Sequence, residues 1–93
     1  SGANFNGSTN FISVTSTSKL QPTTALSIAA WIKGDTWSSG TYVNNILRKG
    51  DNNPNNYQLA VCGGRLEGLL NGNDDAGYKG NTLLQAGRWY HVA

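Results

Sequence analysis

Apolar residues in this chain come in short runs, and glycine or asparagine interrupts nearly all of them. Phe11-Ile12-Ser13-Val14-Thr15 predicts a strand. From Ala25 to Lys33 the alternation is clean: Leu26, Ile28, Ala30 and Ile32 share one face, and Ser27, Ala29, Trp31 and Lys33 share the other. An apolar face opposite small residues plus a tryptophan predicts a sheet that is at least partly covered on both sides. Asn45 to Lys49 is a shorter, less regular strand. Tyr57, Leu59 and Val61 then alternate with Gln58, Ala60 and Cys62. Gly63-Gly64 follows, and an apolar stretch resumes from Arg65 to Asn71, so residues 57–71 predict a β-hairpin over a Gly-Gly turn. Asn6-Gly7 and Asn71-Gly72 are further turn signals. The last segment, Arg88 to Ala93, alternates Trp89, His91 and Ala93 against Arg88, Tyr90 and Val92, again as a strand. Longer loops lie from Gly34 to Tyr42, from Gly50 to Asn56 and from Asn71 to Gly80. No long run has helical periodicity, and six or seven short strands separated by turns predict an all-β antiparallel sandwich or barrel.

Composition sharpens this. Gly, Asn, Ser and Thr together supply 40 of the 93 residues, which excludes a helical bundle, a coiled coil and a membrane-spanning helix. Leu, Ile, Val and Phe number only 19, so the expected core is marginal. The basic residues are scattered and only Arg48-Lys49 are adjacent. A nucleic-acid partner needs a concentrated basic face and is therefore not expected, despite a net charge of +2. The one cysteine, Cys62, rules out an internal disulfide and a multi-cysteine zinc site, and its apolar run marks it as a small core residue. The first residues show no basic-then-apolar leader pattern, so a signal peptide is expected to be absent or already removed.

Five blocks carry a resemblance. Phe5-Asn6-Gly7-Ser8-Thr9-Asn10-Phe11-Ile12-Ser13-Val14 resembles the opening F-D-G-x-x-D-Y-V-x-V of laminin-G-like, concanavalin A-like domains. Leu26-Ser27-Ile28-Ala29-Ala30-Trp31-Ile32-Lys33 is similar to their F-T-I-S-A-W-V-K strand. Ile46-Leu47-Arg48-Lys49-Gly50 resembles I-L-S-K-G, Tyr57-Gln58-Leu59 resembles Y-x-L, and Gly87-Arg88-Trp89-Tyr90-His91-Val92-Ala93 resembles G-x-W-Y-H-V-A. The resemblance implies a concanavalin A-like jelly roll of two antiparallel sheets. It also implies a secreted or cell-surface module of the kind attached to adhesins and polysaccharide-degrading enzymes. Trp31 and Trp89 are then expected in the core, and His91 as a packed structural residue. In that family W-Y-H-V-A lies near mid-domain and further strands follow, so the chain is expected to be half a sandwich. Two readings stay open: association completes it, as a homodimer or domain-swapped assembly, or it is a truncated fragment.

Candidate chemistry is sparse. The carboxylates are Asp35, Asp51, Glu67, Asp74 and Asp75. A glycosidase needs two of them facing across a cleft, and neither an E-x-D-x-x-E-type strand nor a G-x-S-x-G elbow occurs, so no enzyme activity is expected. Asp51, Asp74 and Asp75 offer oxygen ligands suited to a calcium ion, but the same Asn/Asp clusters form Asx-turns with no metal, and Asn6 and Asn10 stand where the family carries acids. Glycan binding is the sharpest expectation. Sugars stack their C–H faces on aromatic rings and hydrogen-bond to amides and arginine. Trp37 and Tyr42 lie in a Ser/Gly/Thr-rich loop, with Asn44, Asn45, Arg48, Asn52, Asn53, Asn55 and Asn56 close in sequence and Tyr78 as a second platform. The alternative for Trp37 is a loop aromatic that caps the sandwich end. Lys49-Gly50-Asp51 resembles an integrin-type tripeptide that also occurs readily in turns. Asn6-Gly7-Ser8 satisfies the N-glycosylation pattern at an expected tight turn. The expectation is thus a non-catalytic module that binds carbohydrate or an extracellular protein, or else a structural, self-associating one. An exposed Trp37 ring favours the lectin.

Overall fold

In the computed structural model, residues 2–39, 44–50, 56–71 and 78–93 are described. Among the described residues a 3-10 turn, Ser18–Leu20, precedes six strands: β1 (Ala30–Ile32), β2 (Asn44–Lys49), β3 (Tyr57–Cys62), β4 (Arg65–Leu70), β5 (Lys79–Leu83) and β6 (Tyr90–Val92). They form two antiparallel sheets, one pairing β1 with β6 and one in the order β2-β3-β4-β5. The fold is all-β, as the alternating runs predict.

The β3–β4 hairpin is the centre of the molecule. Its ladder runs from Tyr57↔Leu70 to Cys62↔Arg65 and closes over Gly63-Gly64. Both glycines take positive φ, 57° and 75°, the conformation of a two-residue turn whose twist matches that of the strands. At Gly64 a Cβ would also lie 2.8 Å from Leu83 Cδ1, so the exposed Leu83 side chain would have to turn aside. With β2 on one side and β4 on the other, β3 holds most of the core. Leu59, Ala60, Val61 and Cys62 are all buried, Val61 completely, and Leu69, Leu84 and Val92 join them. Cys62 is a buried core residue, as expected.

The two sheets face one another across an apolar space. Leu26, Ile28, Ala30 and Ile32 are half-buried and alternate with exposed Ser27, Ala29, Trp31 and Lys33, so the predicted two-faced pattern is present. A cavity of about 490 Å³ remains between the sheets, walled by Leu26 and Ile28 on one side and Tyr57, Leu59, Leu66 and Leu70 on the other. Tyr57 Oη donates to Leu20 O at 3.0 Å and fastens the 3-10 turn over β3. The flanks of β1 and β6 are joined where Gly87 N donates to Gly34 O at 2.8 Å.

Several expectations need correction. Phe11 to Thr15 is not a strand: among the described residues no strand pairs with it, and Phe11, Ile12 and Val14 are 81%, 73% and 71% exposed. The predicted strand from Ala25 to Lys33 is reduced to Ala30–Ile32, because among the described residues only Tyr90–Val92 pairs with it, through Ala30↔Val92, Trp31↔His91 and Ile32↔Tyr90. The β1–β6 sheet is not covered on both sides. Trp31 and Trp89, expected in the core, are 67% and 60% exposed, and His91 is exposed between them. One face of this pair packs inward through Tyr90 and Val92, and the other leaves Trp31, His91, Lys33 and Trp89 exposed, with Gly2 beside the Trp89 ring.

Candidate functional site

Of the loop residues expected to bind sugar, Trp37 is half-buried rather than exposed. Its six-membered ring lies against Gly34, where a Cβ would approach ring atoms to 2.5–2.7 Å. Its indole Nε1 is buried with no hydrogen-bond partner. That is the arrangement of a cap over the end of β1. Asn44, the first residue of β2, is committed to structure. Its Nδ2 donates to Ser38 O (3.0 Å) and Val61 O (2.9 Å), and its Oδ1 accepts from Ser38 N (3.3 Å), which ties the preceding loop to β3. Arg48 is exposed and its Nε donates to Gly50 O at 3.2 Å. Tyr78 is exposed beside β5 and borders the inter-sheet cavity. Arg48 on β2 and Tyr78 next to β5 lie at opposite edges of the four-stranded sheet, so no single loop cluster unites them. Tyr42, Asn52 and Asn53, and the candidate calcium ligands Asp51, Asp74 and Asp75, lie outside the described residues.

The described acids do not form a catalytic or metal centre. Glu67 on β4 is buried and its carboxylate lies 3.8 Å from Lys79 Nζ, its cross-strand partner on β5. Asp35 stands in the loop after β1. Among the described residues no group of three His, Cys, Asp or Glu side chains could hold a metal ion. At the opening motif, Asn6 Oδ1 accepts from the backbone N–H groups of Ser8, Thr9 and Asn10 at 2.8–3.1 Å, and Asn10 Oδ1 accepts from Asn6 N at 3.0 Å. These two amides close the loop on themselves as an Asx-turn. Asn6 Nδ2, the atom the glycosylation pattern would modify, donates to Thr9 Oγ1 at 2.8 Å. In the Lys-Gly-Asp tripeptide, Lys49 Nζ lies over the Tyr57 ring, 5.7 Å from its centroid.

The exposed aromatic groups gather instead on the outer face of the β1–β6 sheet. Trp31 and His91 are direct cross-strand partners, with ring centroids 5.3 Å apart and planes inclined at 56°. One residue beyond that ladder Lys33 and Trp89 continue the face, and Lys33 Nζ lies 5.8 Å from the Trp89 ring centroid. Two indoles, an imidazole and an ammonium group thus share one exposed surface. Sequence reasoning assigned both tryptophans to the core. The corrective signal was present: Trp31 shares its face with Ser27, Ala29 and Lys33, a small and polar set that buries poorly. Such a surface can stack the C–H face of a flat apolar-sided ligand and donate hydrogen bonds at its edge.

No helix among the described residues is long and apolar enough to cross a membrane. Neither the curated proteins nor the solved structures gave a match to the chain. A family model does match, over residues 6–93, and it spans the five sequence blocks from Asn6 onward and both sheets. On that match and its two antiparallel sheets, the chain belongs to the concanavalin A-like lectin/glucanase superfamily, whose laminin-G-like domains are typically extracellular.

Proposed function

We propose that this chain is a non-catalytic, extracellular carbohydrate-binding module whose sugar platform is the outer face of the β1–β6 sheet. The observation that carries this is the exposure of Trp31 and Trp89 on one face, flanked by Lys33 and His91. Tryptophan is costly to leave in water and is enriched at binding hot spots, where a flat ring is an anchor that needs little ordering. The membership of a superfamily of lectins and glucanases supports sugar as the ligand. The described carboxylates do not support hydrolysis, since Glu67 is engaged with Lys79 and has no described acidic partner facing it.

Glycan-array binding followed by isothermal titration tests the platform. Trp31→Ala and Trp89→Ala are each expected to weaken binding about tenfold or more, the loss of one aromatic anchor. Trp37→Ala is expected to leave affinity unchanged once folding is verified by circular dichroism. The reverse pattern would return the site to the loop carrying Trp37. A self-associating structural module is the second reading, favoured by the exposure of Phe11, Ile12 and Val14. Sedimentation equilibrium tests it, because association through that patch should be lost in Ile12→Ser, whereas sugar binding at Trp31 and Trp89 should not change.

A further inference from the structure

Given that carbohydrate reading, we infer that the sugar taken by the Trp31–Trp89 face is acidic, a uronic-acid glycan whose carboxylate is met by Lys33. The inference starts from where the ammonium group sits. Lys33 Nζ lies over the Trp89 ring at 5.8 Å from its centroid and so occupies space on the ring that a pyranose would need. A neutral sugar that stacks on Trp89 has to displace that cation and leaves it with nothing in exchange. A uronate stacks while its carboxylate accepts a charge-assisted hydrogen bond from the same ammonium group, so one movement of the flexible lysine stem serves both contacts.

The charge distribution agrees. No described carboxylate lies within ion-pair distance of Lys33, whereas the buried acid of the other sheet, Glu67, already has Lys79. The remaining described acid, Asp35, lies in the loop beyond β1 rather than on a strand of this face. Trp31 stands apart from the cation: its ring neighbour is His91, whose ring nitrogens offer hydrogen bonds to hydroxyls. Trp31 and Trp89 are diagonal neighbours across the β1–β6 pair, about 7–8 Å apart at the backbone, a spacing that places them under successive parts of an extended chain. The face therefore reads as two unequal positions, one neutral stacking position at Trp31 and one cationic position at Trp89.

The closing experiment compares α-1,4-oligogalacturonate with its methyl ester, which keeps the chain and ring shape and removes the charge, using isothermal titration with the whole chain. The acid is expected to bind about tenfold tighter or more than the ester. Lys33→Gln should abolish that difference, while Lys33→Arg should retain the preference. Raising salt from about 0.05 M to about 0.5 M should weaken only the acid. Equal affinity for acid and ester, or a preference that survives Lys33→Gln, overturns the acidic-sugar assignment. Binding of both that is lost in Trp31→Ala would show that the carbohydrate reading stands nonetheless. A preference for dextran sulfate, which is sulfated but carries no uronic acid, with no binding of the oligogalacturonate overturns the carboxylate assignment. Failure of every neutral and acidic glycan to bind overturns the carbohydrate reading and this inference together.

Discussion

Gly34 and Trp37 show how one missing methyl group can shape a loop. The Trp37 ring closes over Gly34 so tightly that a Cβ there would stand 2.5–2.7 Å from three ring carbons. Gly34→Ala must expel the ring or shift the backbone after β1, and overpacking of this kind costs about 1–3 kcal/mol. Urea unfolding followed by tryptophan emission should show that loss together with a red-shifted spectrum; an unchanged midpoint would mean the ring does not pack as described. Glu67 and Lys79 make the other residue-scale case. The carboxylate is buried but the lysine side chain is 37% exposed, and the separation is 3.8 Å. Solvent screening therefore limits their coupling, and a double-mutant cycle of Glu67→Gln and Lys79→Met should return about 1 kcal/mol or less. A coupling of several kcal/mol would show a pair far drier than its exposure indicates.

At the scale of elements, the β3–β4 hairpin was the most legible part of the chain. Alternating apolar residues on both sides of Gly63-Gly64 specify strand, turn and register together, because a slip by one residue would send every side chain to the wrong face. The two glycines are not equivalent. Nothing lies within 4 Å of a Cβ at Gly63, whereas at Gly64 it meets Leu83. Gly63→Asn, a residue that tolerates left-handed backbone, should change stability by less than about 0.5 kcal/mol. Gly64→Ala should cost about 1–2 kcal/mol from its conformation alone, with the clash added. Thermal melts of the two variants decide this, and equal midpoints would contradict the turn geometry. Phe11 to Thr15 departs from expectation for a related reason: strand propensity is expressed only where a neighbouring strand supplies hydrogen bonds, and none of the described strands pairs with it.

The whole molecule is two antiparallel sheets that leave about 490 Å³ of apolar space between them. The space opens to solvent and is lined mostly by apolar side chains, so it is a place where an apolar probe should bind. A naphthalene-sulfonate dye is expected to brighten in native buffer without loss of β-sheet circular dichroism, and Leu66→Lys on the cavity wall should reduce the signal. A dark native state would mean that the sheets close over the space in solution. The same arrangement explains the sugar platform. With one face of the β1–β6 pair turned to the other sheet, the opposite face must carry Trp31, His91, Trp89 and Lys33 outward.

Strand class, the Gly-Gly hairpin, the buried cysteine and the family resemblance all follow from local alternation and turn chemistry, which the amino-acid order contains directly. Which face of an alternating strand meets water does not. Trp31 alternates with Ile32 whatever surrounds them, and the sheet that packs against β1 comes from residues far along the chain. Burial is a property of that packing, so only the assembled sheets could separate the half-buried Trp37 of the loop from the exposed Trp31 and Trp89 of the strands. The candidate site moved from a loop to a sheet face for that reason.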